Sequence, residues 1–172
     1  MTFTTRPVIQ GTNGMVTSTH YQATIEGLRI LQEGGNVFDA GATMWFCLSL
    51  LKPHLIGVAG ESPILIYHND EEKVVSVNGQ GPAPIGATID WFKEQGYPMI
   101  PEDGFKPACG PGAFDAWLTV LEEYGSMSLD RVLDPAIRIA SDGFPMFPTL
   151  AAFLGRLQPK YLDEWPTSAS IY

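Results

Sequence analysis

Basic residues are scarce in this sequence. Ten Lys and Arg stand against 19 Asp and Glu, a formal net charge of −9, and no basic run occurs. A protein that grips a nucleic acid duplex takes most of its affinity from Lys and Arg on phosphates. The composition therefore argues against nucleic acid as a partner, and against an anionic membrane surface for the same reason. Cysteine is nearly missing. Cys47 and Cys109 are the two present, and they do not make a C-x-x-C metal motif. Two buried thiols are expected, with a disulfide left open. The three histidines, His20, His54 and His68, never stand three or four apart, so no helical metal pair exists. No metal or cofactor is expected. Long apolar runs are also lacking. The most apolar stretch, Gly41–Gly60, is broken by Lys52, Pro53 and His54, which suits a buried helix and its exit rather than a membrane span. Met1–Gln10 contains no apolar core of a secretory signal, so a cytoplasmic location is expected.

What is plentiful is glycine and proline. The 18 Gly and 14 Pro make nearly a fifth of 172 residues, against an average near 12 %. Tight turns and loops should be many. The hydrophobic share of 45 % is ordinary for a globular protein, and a chain of this length can bury a real core. No linker or internal repeat divides it, so residues 1–172 are expected to form one domain.

The pattern predicts α+β elements. Met15–Thr19 is short and β-branched, as a buried strand would be. Gln22–Glu33 carries Ile25, Leu28 and Leu31 on one helical face, and Gly34-Gly35 stops it. Asn36 or Asp39 can cap the next helix, which runs to about Leu51 and is apolar nearly all round. Its small residues at 40–42 permit close approach. Pro63–His68 and Val74–Val77, joined by a polar turn, predict an antiparallel hairpin. Asn78–Pro84 leaves it as an irregular loop, and a short helix is possible at Thr88–Gln95. Gly112–Tyr124 places Phe114, Trp117, Leu118 and Leu121 at helical spacing. Ser128–Ser141 repeats the pattern with Leu129, Val132, Leu133, Ala136, Ile137 and Ala140, and either restarts or kinks at Asp134-Pro135. After Gly143 the chain is Pro-rich and aromatic, with no further element assigned. A sheet of two or three strands leaves open edges, so the strands are expected to pair with another polypeptide segment.

No catalytic constellation stands out. Gly60-Glu61-Ser62-Pro63 begins like a nucleophile elbow. It lacks the second glycine, and Pro63 removes a backbone N–H that the oxyanion hole needs. Gly79-Gln80-Gly81 begins like a dinucleotide fingerprint, but Pro82 follows it and the third glycine is missing. Glu71-Glu72 and Glu122-Glu123 are sequence neighbours. Such pairs do not face each other on a helix and read as solvated charges. His54 reads as structural, whereas His20 could line a cleft.

Taken in order, the segments resemble the γ-glutamyltransferase (γ-glutamyltranspeptidase) family. The resemblance rests on Gly14–His20, on Glu26–Leu31 and on Gly34–Ala40. Lys52-Pro53-His54 resembles the family's Glu-Pro-His, and Gly79–Pro84 sits where the family has Gly-Arg-Glu-Thr-Ala-Pro. Gly110-Pro111-Gly112, Leu133–Ala140 and Asp142–Pro145 resemble three further family segments. Each motif alone is weak, and the ordered set is specific.

The resemblance implies an N-terminal nucleophile (Ntn) hydrolase with a four-layer αββα fold. In that family a precursor cleaves itself into a large and a small subunit. The Thr that starts the small subunit attacks an amide carbonyl, and its own α-amine serves as base. This chain corresponds to the first part of the large subunit, so none of its residues is expected to be catalytic. The implied partners are a small-molecule amide substrate, the remainder of the large subunit, and the small subunit.

Two departures stand out. The family's arginine, which holds the α-carboxylate of a γ-glutamyl group, falls at Gln80. Glutamine offers a neutral amide where arginine offers a charged fork. The family's glycine-rich run after Pro-His is reduced to Leu55-Ile56-Gly57-Val58-Ala59-Gly60-Glu61-Ser62. Both changes point to a different acyl group, as in acylase or amidohydrolase relatives. Gln80 is the expected substrate contact, with Gly79 and Gly81 letting its loop approach the ligand. Two other readings compete: a non-catalytic scaffold or partner-binding subunit that keeps the fold, and an independent hydrolase using Ser62.

Overall fold

The computed structural model describes residues 8–171. Among the described residues, seven helices and one two-stranded sheet follow each other as α1 Tyr21–Gln32, α2 Val37–Leu51, β1 Ile64–His68, β2 Lys73–Val77, α3 Ile89–Glu94, α4 Ala113–Tyr124, α5 Leu129–Asp142, α6 Pro148–Glu164 and α7 Pro166–Ala169. The α+β expectation holds for these residues. The sequence reading of the first seven residues lies outside them.

Helix α2 is the centre. Asn36 caps it: its side chain accepts from the backbone N–H of Phe38 at 2.9 Å and Asp39 at 3.1 Å. Asp39 reaches back to the Asn36 N–H at 2.9 Å, completing a capping box. The fully buried Asp39 carboxylate also accepts from the N–H and hydroxyl of Ser126 and the N–H of Met127. Asn36 Nδ2 donates to the Tyr124 carbonyl at 2.6 Å. One residue pair thus starts α2 and fastens it to the α4–α5 connection. Burial pushes the Asp39 carboxyl up, but the hydrogen bonds from Ser126, Asn36 and Met127 outweigh it and hold it below its ordinary value.

Around α2 lie α1, α4 and α5, enclosing Ala23, Trp45, Phe46, Leu51, Ala113 and Val132. Close approach decides which faces turn inward. A Cβ on Gly27 would meet the Met44 side chain at 2.6 Å, and Gly41 lies against the Trp117 ring. Helix α1 therefore buries Ala23, Gly27 and Ile30. The predicted face of Ile25, Leu28 and Leu31 is not the inner one: Ile25 and Leu28 are exposed. Small residues win the inner position because α2 packs so near. Helix α4 behaves alike, burying Ala113, Ala116 and Val120 while Phe114 stays exposed. In α5, Val132, Pro135 and Ala136 are buried, and Ile137 is exposed. That helix runs through Pro135 without restarting. Glu26 pairs with Arg29 and Arg138, and Glu33 with Arg131, so charges join α1 to α5 at the surface.

The hairpin forms as expected, in the register Ile64↔Val77 to His68↔Lys73. Met15–Thr19 is not a strand among the described residues. Among the described residues the sheet pairs β1 with β2 alone. Helix α6 was not foreseen. Its Pro148 sits at the first helical position, where a missing N–H costs nothing. Pro159 lies within the helix.

Candidate functional site

Three loops cross near the start of α4. Ser62 N donates to the Gly79 carbonyl at 3.1 Å, and Gly110 N donates to the Pro82 carbonyl at 2.9 Å. The Gly60 carbonyl accepts from Gly112 N at 3.2 Å and Ala113 N at 3.0 Å. The loop Asn78–Pro84 is thereby tied to the loop before β1 and to the loop before α4. Glycine is required at these crossings. A Cβ on Gly79 would meet the Ala116 Cβ at 2.7 Å and overlap the Ser62 carbonyl. A Cβ on Gly81 would overlap the backbone of Gly110, and one on Gly112 would meet the Gly79 carbonyl at 2.5 Å.

Between its two packed glycines, Gln80 is exposed, and Gly79 is buried. Gln80 N donates to Asn78 Oδ1 at 3.2 Å, an Asx turn that fixes the loop's start. Beside it opens a cleft of about 330 Å³, lined among others by Gly60, Glu61, Gly81, Pro107, Cys109 and Gly110. In the sequence Glu61 belongs to the incomplete elbow motif and to the reduced glycine-rich run, neither of which marks it as a cleft residue. Its place in the cleft follows from the loop crossing, which no local pattern reveals.

Both cysteines are free. Cys47 is buried, but Cys109 is exposed, contrary to the expectation of two buried thiols. Burial pushes the Cys47 thiol up to about 12, so it is inert. Cys109 escapes burial because it lies in the loop before α4, outside the core.

The other sequence candidates resolve into structural roles. His20 is buried and caps α1, its Nδ1 accepting from Gln22 N at 3.3 Å while the ring stacks on Tyr21. Burial and the nearby Lys52 cation hold it below the usual histidine range, as an accepting nitrogen requires. His54 packs against Phe153 and Phe147, a structural place. Ser62 Oγ accepts from the Trp117 indole N–H at 3.0 Å, and no histidine hydrogen-bonds it among the described residues. It is not arranged as a nucleophile. Glu71, Glu72, Glu122 and Glu123 are all exposed, as expected of solvated charges. Among the described residues no group of three His, Cys, Asp or Glu could hold a metal ion, and no helix is long and apolar enough to cross a membrane.

Residues 23–172 match the model of the γ-glutamyltranspeptidase family. The chain belongs to the γ-glutamyltranspeptidase family. Among its relatives is the glutathione hydrolase-like YwrD proenzyme of Bacillus subtilis, 42 % identical over 137 residues, which are 79 % of this chain and 26 % of that protein. The structure is also similar to the γ-glutamyltranspeptidase of Helicobacter pylori, with a TM-score of 0.82 and 29 % identity over 91 % of this chain and 45 % of that one. A cephalosporin acylase from Bacillus halodurans superposes with a TM-score of 0.77 and 30 % identity, over 96 % of this chain and 32 % of the other. The chain spans about a quarter of the length of the YwrD proenzyme. Within this γ-glutamyltranspeptidase segment, the loops Gly60–Ser62, Gly79–Gly81 and Gly110–Gly112 are held together by close glycine contacts and backbone hydrogen bonds.

Proposed function

We propose that this chain is the N-terminal part of the large subunit of an Ntn hydrolase, acting with a small subunit whose first residue is a threonine. The assembled enzyme hydrolyses or transfers an acyl group from a small-molecule amide. The four-layer αββα sandwich is completed by the rest of the polypeptide. Family membership over residues 23–172 is the observation that carries this reading. The similarity to a relative named a proenzyme supports self-processing. Similarity to a cephalosporin acylase supports amides beyond the γ-glutamyl class.

Gln80 is the proposed substrate contact, with Gly79 and Gly81 setting its loop. A bond from a charged group contributes roughly 1.5–3 kcal/mol and a neutral one about 1. Glutamine at this point therefore weakens the hold on an α-carboxylate, and standard γ-glutamyl amides should be poor substrates.

Denaturing mass spectrometry of the native, untruncated particle tests this. A second chain beginning with threonine is the expected result. A lone species of this chain's mass would refute the self-processed enzyme and leave the partner-binding subunit.

A further inference from the structure

The cleft beside Gln80 contains one Asp, Glu, Lys or Arg among the residues that line it, and that residue is Glu61. The remaining lining is glycine, alanine, proline and Cys109, so no lining cation neutralises the carboxylate. Glu61 takes part in none of the ion pairs among the described residues. Its backbone is nonetheless fixed on both sides. The Gly60 carbonyl before it accepts two N–H groups from the start of α4, and the Ser62 N–H after it binds Gly79. Gly79 is the residue before Gln80. The Glu61 loop and the Gln80 loop are thus hydrogen-bonded to each other at the wall of one cleft.

We infer that Glu61 sets the charge preference of the acyl site, favouring acyl groups that end in a cation or are neutral and disfavouring those that end in a carboxylate. This rests on the proposal that the Gln80 loop faces substrate. The two residues act in the same direction. Gln80 supplies no cation to hold an anionic acyl tail, and Glu61 adds a negative charge that repels one. Two unit charges of like sign a few ångströms apart in water differ by about 1 kcal/mol, roughly fivefold in a rate ratio. Partial exclusion of water by a bound substrate enlarges that, and salt diminishes it.

The test uses the complete self-processed protein and three p-nitroanilides of equal chain length: glutaryl, pentanoyl and 5-aminopentanoyl. The native enzyme should rank them with the aminoacyl first and the glutaryl last in kcat/KM. Glu61→Gln should raise the glutaryl-to-pentanoyl ratio about fivefold and the glutaryl-to-aminopentanoyl ratio about 25-fold, since the two charged tails shift in opposite directions. It should also flatten the dependence of both ratios on salt between about 0.1 M and 1 M, where the screening length falls from roughly 10 to 3 Å. Glu61→Gly should do the same. A purely structural role would lower all three rates together and leave the ratio alone. Gln80→Arg serves as the reference for the underlying reading. If Gln80→Arg raises the glutaryl ratio and neither Glu61 variant does, the inference about Glu61 is wrong while the site stands. If none of the variants moves the ratio, the Gln80 loop does not face substrate and both fall.

Discussion

Single residues decide the chemistry of this surface. Gln80 is exposed on a loop that its neighbours hold rigidly, so its side chain can be exchanged without rebuilding the fold. Gln80→Arg should improve turnover of γ-glutamyl amides relative to the native substrate by about three- to tenfold, since roughly 1 kcal/mol of charge-assisted bonding is at stake. An unchanged ratio in steady-state assays would remove Gln80 from the substrate pocket. Asp39 illustrates the opposite case, a charge that serves structure. Its removal in Asp39→Ala leaves the part-buried N–H groups of Ser126 and Met127 without their acceptor, at about 1–3 kcal/mol in total. Because its folded value lies below the ordinary one, its stabilising effect is complete above the unfolded carboxyl range near 4. It is lost as pH falls through the lower folded value. Denaturant midpoints between about pH 7 and 2 should therefore decline at the acid end in the native protein. The Asp39→Ala variant should decline less steeply. Parallel curves would show that Asp39 is not the group responsible.

At the scale of elements, glycine governs which loops and helices meet. Gly81→Ala would force a Cβ onto the Gly110 backbone, whereas Gly57 has nothing within 4 Å of an added Cβ. We expect Gly81→Ala to cut activity at least tenfold through displacement of the Gln80 loop, at a destabilisation of about 1–3 kcal/mol. Gly57→Ala should leave both nearly unchanged. Equal behaviour of the two variants in thermal melts and rate assays would mean that the loop crossing is not as tight as its geometry. The same principle explains why α1 and α4 turn small residues inward. Helix periodicity located both elements from the sequence, since Gly34 follows the end of α1 and Gly125 ends α4. It assigned the apolar stripe to the core, because large side chains bury more area. Ala23, Gly27, Ala113 and Ala116 instead face inward. The helices approach closely there, and the larger Ile25, Leu28 and Phe114 are left exposed.

For the whole molecule, those exposed apolar residues acquire meaning as a set. On the hairpin, Leu65, Tyr67 and Val74 are 78, 62 and 68 % exposed, and among the described residues β1 and β2 pair only with each other. Open edges and uncovered apolar faces promote association. The isolated 172-residue chain should therefore bind a hydrophobic dye strongly or aggregate on warming. A monomer that melts in one cooperative transition without dye binding would show that it is self-sufficient. The tie between α1 and α5 through Glu26, Arg138, Glu33 and Arg131 is surface electrostatics and contributes little by comparison.

The sequence by itself determined the helices and the hairpin through periodicity, capping residues and turn glycines, all of which act within a few residues of one another. Its ordered motifs also determined the family. Helix α6 escaped because the stretch after Gly143 shows a Pro-rich and aromatic composition, whereas Pro148 occupies the first turn, where it is compatible with a helix. The strand expected at Met15–Thr19 is absent among the described residues because a strand exists only when another backbone pairs with it. Tertiary structure alone decided that Glu61, Gly81, Cys109 and Gly110 share one cleft. That cleft is bounded by loops hydrogen-bonded across long stretches of chain, from Ser62 to Gly79 at the shortest and from Gly60 to Ala113 at the longest. Such contacts follow from the packing of α4 against α2, and no local pattern of residue types encodes them.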